Sequence, residues 1–144
     1  MILELSLIGI LVSCFYILLF HLYPGGIIVP VYFSFYLTQP TRLFATIMVS
    51  LISVFIFQFI SRKLIIFGRR RFVFLIILSA FLSLLANYFF QDYQSGLTVY
   101  GSIGILIPGL LANNIIRQGF FVTMASMFTV SIITFFLFKV FFYL

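Results

Sequence analysis

The composition of this 144-residue chain is typical of a membrane protein and excludes a water-soluble globule. Hydrophobic residues make up 65% of the chain and charged residues only 7%, so there is too little polar surface to cover a core in water. The net charge is +6, but most of the basic residues fall between Arg62 and Arg71. The charge therefore marks one short loop, which argues against a nucleic-acid-binding surface.

Four stretches are apolar over about the 20 residues that a helix needs to cross the hydrocarbon of a bilayer. In chain order they cover residues 5–22, 43–60, 72–90 and 120–138. The first stretch lacks the basic start and the small-residue cleavage site of a secretory signal, so we expect it to be kept as a membrane helix. The predicted fold is all-α, a polytopic bundle of transmembrane helices.

A short motif recurs in the two irregular connections of the chain, 23–41 and 91–119. The first copy is Gly26-Ile27-Ile28-Val29-Pro30, and the second copy is Gly104-Ile105-Leu106-Ile107-Pro108. A weak repeat of this kind indicates two related halves, although two unrelated Gly-Pro turns are an alternative. We expect one integral membrane domain over 1–144, with repeat-like halves of about 1–61 and 72–144 joined by a basic cytoplasmic loop, 62–71.

The glycines and prolines of the repeat form a predicted helix-breaking motif. Its members are Gly26, Pro30, Gly104, Pro108 and Gly109. Each proline removes a backbone donor, and the carbonyl left behind must be satisfied by protein or water and not by lipid. Both segments should therefore lie inside the bundle or in an assembly interface. If they cross the membrane, the chain has six crossings and inverted halves; if they are re-entrant, it has four crossings and parallel halves.

The basic residues of the central loop predict the orientation of the chain. They are Arg62, Lys63, Arg69, Arg70 and Arg71. Loops rich in Lys and Arg are retained in the cytoplasm, which places 61–71 inside and 91–101, with its single Asp92, outside. The same side chains are candidates for contact with anionic lipid or with a cytoplasmic partner.

The sequence contains no recognisable motif for catalysis or metal binding. It has no G-x-x-x-x-G-K-[ST] phosphate loop, no H-E-x-x-H zinc helix and no paired carboxylates. We expect the single histidine, His21, to lie at the membrane interface and the single cysteine, Cys14, to pack in a helix. Gly101-Ser102-Ile103-Gly104 has glycine spacing that favours close helix packing over phosphate binding. A self-contained active site is not expected.

Six polar residues follow the two copies of the motif and are the candidate binding residues. They are Gln39, Arg42, Asn113, Asn114, Arg117 and Gln118. Polar groups at membrane depth are costly unless they are paired or hydrated. A guanidinium group binds carboxylates through two parallel hydrogen bonds, and amides can bind peptide units, so the set would suit a polyanionic chain with amide links. The alternative is that the arginines reach the headgroups and the asparagines cap broken helix ends.

Several motifs carry a resemblance that covers nearly the whole chain. They are 26–30, Gln39-Pro40, 67–72, and 104–113 continuing to Arg117-Gln118-Gly119. Together they resemble the PgsC/CapC family of capsule biosynthesis proteins. The last motif is the most specific, since Pro-Gly-apolar-apolar-Ala-Asn followed by Arg-Gln-Gly is hard to obtain from composition alone. Two departures are Val31, where family members tend to have Gly, and Tyr23-Pro24-Gly25, where an Arg or Glu is often found.

The resemblance implies a multi-pass subunit of the bacterial cytoplasmic membrane. It implies a complex that joins glutamate residues through γ-carboxyl amide bonds and exports the polymer as capsule or released material. The implied partners are a cytoplasmic ATP-dependent amide ligase (PgsB/CapB-like), a surface-exposed subunit (PgsA/CapA-like), sometimes a very small membrane peptide, poly-γ-glutamate itself and membrane lipid.

ATP and Mg are expected on the ligase, and no cofactor is expected in this chain, which would be a non-catalytic subunit. The residues also permit two rivals. One is a small transporter or permease for an ion or metabolite, since broken helices and internal repeats occur in such proteins. The other is a structural anchor that holds the ligase and the surface subunit without contacting polymer.

Overall fold

The computed structural model of the protein describes residues 2–63, 68–91 and 104–143. All regular secondary structure in these ranges is α-helical, which confirms the all-α prediction. The helices are α1 (Ile2–Phe20), α2 (Val29–Phe35), α3 (Pro40–Ser61), α4 (Arg69–Gln91), α5 (Ile107–Gln118) and α6 (Phe120–Tyr143).

Three helices of the described ranges are long and apolar enough to cross a membrane. These spans are Leu3–Phe20 in α1, Pro40–Ser61 in α3 and Phe120–Phe141 in α6. They coincide with the first, second and fourth of the predicted stretches, as expected of a polytopic membrane bundle. The third predicted stretch, 72–90, is helical as α4, and its membrane crossing stays a prediction.

The two prolines of the repeated motif begin short helices and do not interrupt long ones. Pro30 and Pro108 are each the second residue of their helix, where a backbone N–H has no intrahelical partner in any case. Gly26 and Gly104 have φ angles of 108° and 65°, which an L side chain rarely adopts. Each glycine turns the chain three positions before the helix begins, so both copies of the motif have the same local structure.

The chain divides into two compact units. Unit 1 consists of Met1–Thr38 and Asn114–Leu144, and unit 2 consists of Gln39–Asn113. Unit 1 contains α1, α2, α6 and the end of α5, whereas unit 2 contains α3, α4 and the start of α5. Each unit therefore takes helices from both sequence halves. If α1, α2 and α3 correspond to α4, α5 and α6, every helix of unit 1 has its counterpart in unit 2.

The buried positions of α1 and α4 support this correspondence. The buried residues are Leu5, Gly9 and Ser13 on α1, and Leu75, Ser79 and Ser83 on α4. In both helices they recur at every fourth position, which places them on one helix face. Both faces combine one leucine with two small residues, a composition that allows close helix packing in membranes.

The buried positions of α3 and α6 also match. Six of them share one spacing, namely Thr46, Val49, Ser50, Ser53, Val54 and Phe57 on α3, and Thr123, Ser126, Met127, Val130, Ser131 and Thr134 on α6. The first threonine of each set donates a hydrogen bond of 2.8 Å to the carbonyl four residues earlier. Burial thus corresponds in two helix pairs, α1 with α4 and α3 with α6, as expected of repeat-like halves, which stay a prediction.

In each unit a short helix packs against a long helix at a glycine. In unit 1 the glycine is on the long helix, and a Cβ atom added at Gly9 would lie 2.8 Å from Cγ2 of Val31 in α2. In unit 2 the glycine is on the short helix, and a Cβ atom added at Gly109 would lie 2.9 Å from Cα of Ile76 in α4. The glycine is thus on the long helix in one unit and on the short helix in the other, while the two helices are in close contact in both units. This exchange explains how Val31 is accommodated at the position that Gly109 occupies in the second copy of the motif.

Candidate functional site

The six candidate binding residues fall in both compact units. Gln39, Arg42 and Asn113 belong to unit 2, and Asn114, Arg117 and Gln118 belong to unit 1. The last three lie on the C-terminal part of α5, which comes against the turn that follows α1.

Gln118 holds this turn through its side-chain amide. The backbone N–H of Tyr23 donates to Oε1 of Gln118 at 3.0 Å, and Nε2 of Gln118 donates to the carbonyl of Tyr23 at 2.8 Å. Both polar groups of one residue are thus paired just beyond the end of α1, where no helix continues to satisfy them. The amide that was predicted to contact polymer is engaged with the protein's own backbone.

Arg117 presents a positive charge at the same end of unit 1. Its side chain is exposed, and its Cζ lies 5.3 Å from the centre of the Tyr23 ring, within the range of a cation–π contact. Glu4 is the one acidic residue in the described part of the chain, and it lies in the first turn of α1, at the opposite end of that helix from Tyr23. The guanidinium group is therefore oriented by an aromatic ring, and no carboxylate side chain of the described residues of unit 1 lies at this end.

Asn114 is buried beside the first repeated motif. A Cβ atom added at Gly26 would lie 3.8 Å from Nδ2 of Asn114, so the side chain lies next to the glycine turn. The carbonyl of Asn114 accepts a hydrogen bond of 3.3 Å from the hydroxyl of Thr123 in α6. Asn114 therefore connects the end of α5 to the start of α6 and lines the turn at Gly26.

The candidate residues of unit 2 lie at the start of α3 and within α5. Gln39 immediately precedes α3, is exposed, and accepts a 3.1 Å hydrogen bond at its carbonyl from the N–H of Arg42. Arg42 is half-buried, and its carbonyl accepts the hydroxyl of Thr46. Asn113 is buried, with 9% of its surface exposed. The buried amide of Asn113 stays a candidate for binding.

The basic loop is described at both ends, whereas 64–67 lies outside the described residues. Arg62 and Lys63 follow α3 and are exposed, and three arginines form the first turn of α4. Of these, Arg69 and Arg70 are exposed, while Arg71 is half-buried with a buried Nε that has no hydrogen-bond partner. Cations at a helix N-terminus oppose the helix dipole by about 0.3–1 kcal/mol each, so an anionic surface beside the helix would stabilise them.

The remaining predicted features have structural roles or lie outside the described ranges. His21 is exposed with a φ of 55°, and its N–H donates to the carbonyl of Ile17 at 2.8 Å, so it ends α1. Cys14 is half-buried within α1. No cluster of three metal-ligating side chains occurs among the described residues. Asp92 and the 101–103 part of the second glycine segment are not described.

Sequence reasoning missed two residues that build this site. In the sequence, Tyr23 stands out only as part of Tyr23-Pro24-Gly25, a departure from the family pattern, yet it supplies both the backbone groups bound by Gln118 and the ring under Arg117. Ser131 of α6 donates a 3.2 Å hydrogen bond to the carbonyl of Pro30, deep in unit 1. These contacts join residues about a hundred positions apart, so no local sequence pattern predicts them.

Comparison with known proteins identifies the family of the chain. The sequence matches the family described as "Capsule biosynthesis CapC" over residues 8–124, a region that includes both copies of the motif and all six candidate residues. It is 29% identical over 130 residues to the "PGA biosynthesis protein CapC" of Bacillus subtilis (strain 168), which covers 90% of this chain and 87% of that protein.

A second relative has a similar extent. The chain is 32% identical over 113 residues to the "Capsule biosynthesis protein CapC" of Bacillus anthracis, which covers 78% of this chain and 76% of that protein. No solved structure matches the chain.

Proposed function

Because the chain belongs to the CapC capsule biosynthesis family, we propose that it is the membrane subunit of a complex that makes and exports poly-γ-glutamate. The family match and the names of two relatives support a role in capsule poly-γ-glutamate biosynthesis. The proposed tasks of this subunit are to anchor the cytoplasmic ATP-dependent ligase and to help the polyanionic polymer cross the bacterial cytoplasmic membrane.

This division of labour is consistent with the chemistry of the chain. Forming an amide from a carboxylate with ATP needs groups that bind phosphate and Mg²⁺, and the sequence has no motif for either. The ligase would supply that chemistry. The membrane subunit would contribute helices in the bilayer, a basic cytoplasmic surface and cationic groups for a carboxylate-rich chain.

The observation that carries polymer handling is the exposed guanidinium group of Arg117 over the ring of Tyr23. A guanidinium group that stacks on a ring keeps its edge, which carries the N–H donors, able to meet a carboxylate. A planar fork matches the two oxygens of a carboxylate, so each glutamate unit of the polymer can be bound transiently. Gln118 and Asn114 act indirectly, by fixing the turn and the helix end that position Arg117.

The experiment compares polymer production in a strain that lacks this gene after complementation with different variants. Wild type should restore polymer, whereas Arg117→Gln should reduce the amount made without changing how much ligase copurifies with the membrane subunit. Arg117→Lys keeps the charge but not the fork, so its polymer output should fall between the two. Gln58→Ala alters an exposed polar side chain of α3 and serves as the matched control.

The ligase-docking task rests on the exposed Arg69 and Arg70 at the start of α4. Their unfavourable position at a helix N-terminus is relieved by an acidic partner surface or by anionic lipid, which contributes roughly 1 kcal/mol per basic residue. The Arg69→Glu/Arg70→Glu double variant should reduce copurification of the ligase, whereas Lys139→Glu, which reverses an exposed charge on α6, should not. The membrane content of each variant is measured by immunoblot.

Two outcomes would reject the proposal in different ways. Unchanged polymer after deletion of the gene rejects the capsule role and favours the transporter alternative. Restored polymer with Arg117→Gln at the wild-type rate rejects polymer contact by this side chain and leaves the structural-anchor role in place.

A further inference from the structure

The first broken segment is the connection between α1 and α3, 21–39. Its contacts with α6 show how far each of its residues lies along the axis of that helix. Tyr23 is bound by Gln118, just before α6 begins at Phe120. Pro30 is bound by Ser131, which lies eleven residues into α6 and so about 17 Å along its axis. Between Tyr23 and Pro30 the segment therefore descends from one end of unit 1 to about the middle of a span.

The segment then turns back. The ring of Phe33 packs edge-on against Phe128 of α6, with centroids 6.4 Å apart. Phe128 lies only eight residues into α6, about 12 Å along its axis, and is thus closer to the starting end than Ser131. A segment that crossed the membrane would instead contact later residues of α6 after Pro30.

The packing of α1 gives the same depth independently. Gly9 lies against Val31, and a Cβ atom added at Gly9 would also be 3.1 Å from Cγ2 of Thr134. Gly9 is eleven residues before the end of α1 at Phe20, again about 17 Å from that end. The deepest part of the segment is therefore near Pro30 and Val31. The seven residues of α2 extend only about 10 Å, too short for a crossing.

In unit 2 the start of α5 likewise packs against the middle part of a long helix, whereas 92–103 lies outside the described residues. Gly109, at the start of α5, packs against Ile76 and Ser79, which lie seven and ten residues into α4 and thus about 10–15 Å from its first residue. The twelve residues of α5 extend about 18 Å, which is also shorter than a span.

We propose that both broken segments are re-entrant from the extracellular side, so that Tyr23 and Arg117 form an extracellular binding patch for a carboxylate-bearing chain. The orientation follows from the basic loop: Arg62 and Arg69 keep the end of α3 and the start of α4 in the cytoplasm, and α3 therefore begins outside. A re-entrant first segment then puts the end of α1 outside as well. The chain crosses four times, and its halves run parallel.

The assignment of a carboxylate-bearing chain as the ligand of this patch rests on the proposed function, which supplies an anionic polymer. It also rests on the positive charge of the patch. Arg117 is exposed and oriented by the Tyr23 ring, and Glu4, the acidic residue described in unit 1, lies at the cytoplasmic end of α1 in this topology. The patch is thus positioned to bind polymer as it leaves the membrane and not as it leaves the ligase.

Cysteine labelling tests the topology without reference to polymer. Single cysteines are placed at exposed positions in a Cys14→Ala background and treated with a membrane-impermeant maleimide, before and after permeabilisation. His21→Cys and Thr38→Cys should react in intact cells, whereas Ser61→Cys and Lys139→Cys should react only after permeabilisation. Labelling of His21→Cys only after permeabilisation, or of Lys139→Cys in intact cells, would overturn the re-entrant topology.

A protection experiment tests the patch itself. Soluble poly-γ-glutamate added outside should slow labelling of His21→Cys, two residues from Tyr23, by about threefold or more, as expected for an exposed ion pair. Polyethylene glycol of equal length should not slow it, and Arg117→Gln should abolish the protection. Equal labelling rates with and without poly-γ-glutamate would reject the binding patch even if the capsule role stands.

Discussion

The side-chain amide of Gln118 pairs with both backbone polar groups of Tyr23, a residue 95 positions away in the chain. This reciprocal pair fixes the turn after α1 to the last residue of α5. Since Arg117 precedes Gln118 and lies over the Tyr23 ring, the same pair sets the position of the exposed guanidinium group.

Removing this amide should loosen the turn without unfolding the protein. We expect Gln118→Ala to lower the free energy of unfolding in detergent by about 1 kcal/mol, because two partly exposed hydrogen bonds are lost. The amide of Tyr23 should also exchange its hydrogen faster. Gln58→Ala should leave both quantities unchanged; equal effects of the two variants would show that the pair does not hold the turn.

The two helix contacts at Gly9 and Gly109 should differ in their tolerance of an added methyl group. Gly9→Ala pushes against methyl groups of Val31 and Thr134, which side-chain movement can relieve, whereas Gly109→Ala pushes against the α4 backbone at Ile76. Overpacking costs about 1–3 kcal/mol, and we expect Gly109→Ala to lie at the upper end and Gly9→Ala at the lower end. Thermal unfolding in detergent measures both.

A second-site change separates this mechanism from a general effect of the substitutions. Val31→Ala removes the methyl group nearest to Gly9, so the Gly9→Ala/Val31→Ala double variant should recover part of the lost stability. Ser79→Ala should recover less in a Gly109→Ala background, since the α4 backbone still blocks the new Cβ. Strictly additive losses in the first pair would contradict direct packing.

His21 ends α1 in a left-handed conformation that a side chain disfavours, since its φ is 55°. We expect His21→Gly to raise the free energy of unfolding by about 0.5–1 kcal/mol, because glycine adopts this conformation without the Cβ clash. His21→Ala keeps a Cβ and should bring no gain. A gain with alanine equal to that with glycine would mean that the imidazole itself, and not the backbone, is unfavourable.

The hydrogen bond from Ser131 to Pro30 should contribute modestly, since such bonds in membrane proteins average about 0.6 kcal/mol. Ser131→Ala should lower the unfolding free energy by about this amount. Thr129→Val is the matched control, because the Thr129 hydroxyl is exposed on α6 and bonds only within its own helix, to the carbonyl of Ala125. A loss in the control as large as in Ser131→Ala would assign the effect to helix propensity.

The apolar helices could be predicted from sequence, because a run of hydrophobic residues is a local pattern. Runs of hydrophobic residues predicted α1, α3, α4 and α6 to within a few residues, whereas the short helices α2 and α5 were not predicted. Pro30 and Pro108 were expected to break helices, and they begin them. Proline is tolerated in the first turn of a helix as readily as at a break within a helix. The presence of proline alone therefore does not tell whether a helix begins or is interrupted there.

The long-range pairings could not be predicted, because they depend on how helices from different halves pack. Gln118 and Asn114 were expected to face polymer, and the structure engages them with Tyr23 and the Gly26 turn. Polarity at membrane depth signals that a side chain needs a partner, but not which partner it finds. Polymer contact stays a prediction for all six candidate residues.

The grouping of helices sets an order for biosynthesis. Unit 2 is one continuous stretch, Gln39–Asn113, so its helices can pack as soon as they have left the ribosome. Unit 1 contains the beginning and the end of the chain. Its helices α1 and α2 can therefore pack fully only after α6, the last helix to be synthesised, has entered the bilayer. A chain released early, for example by a stop codon before Phe120, would insert its first helices and still lack their main packing partner.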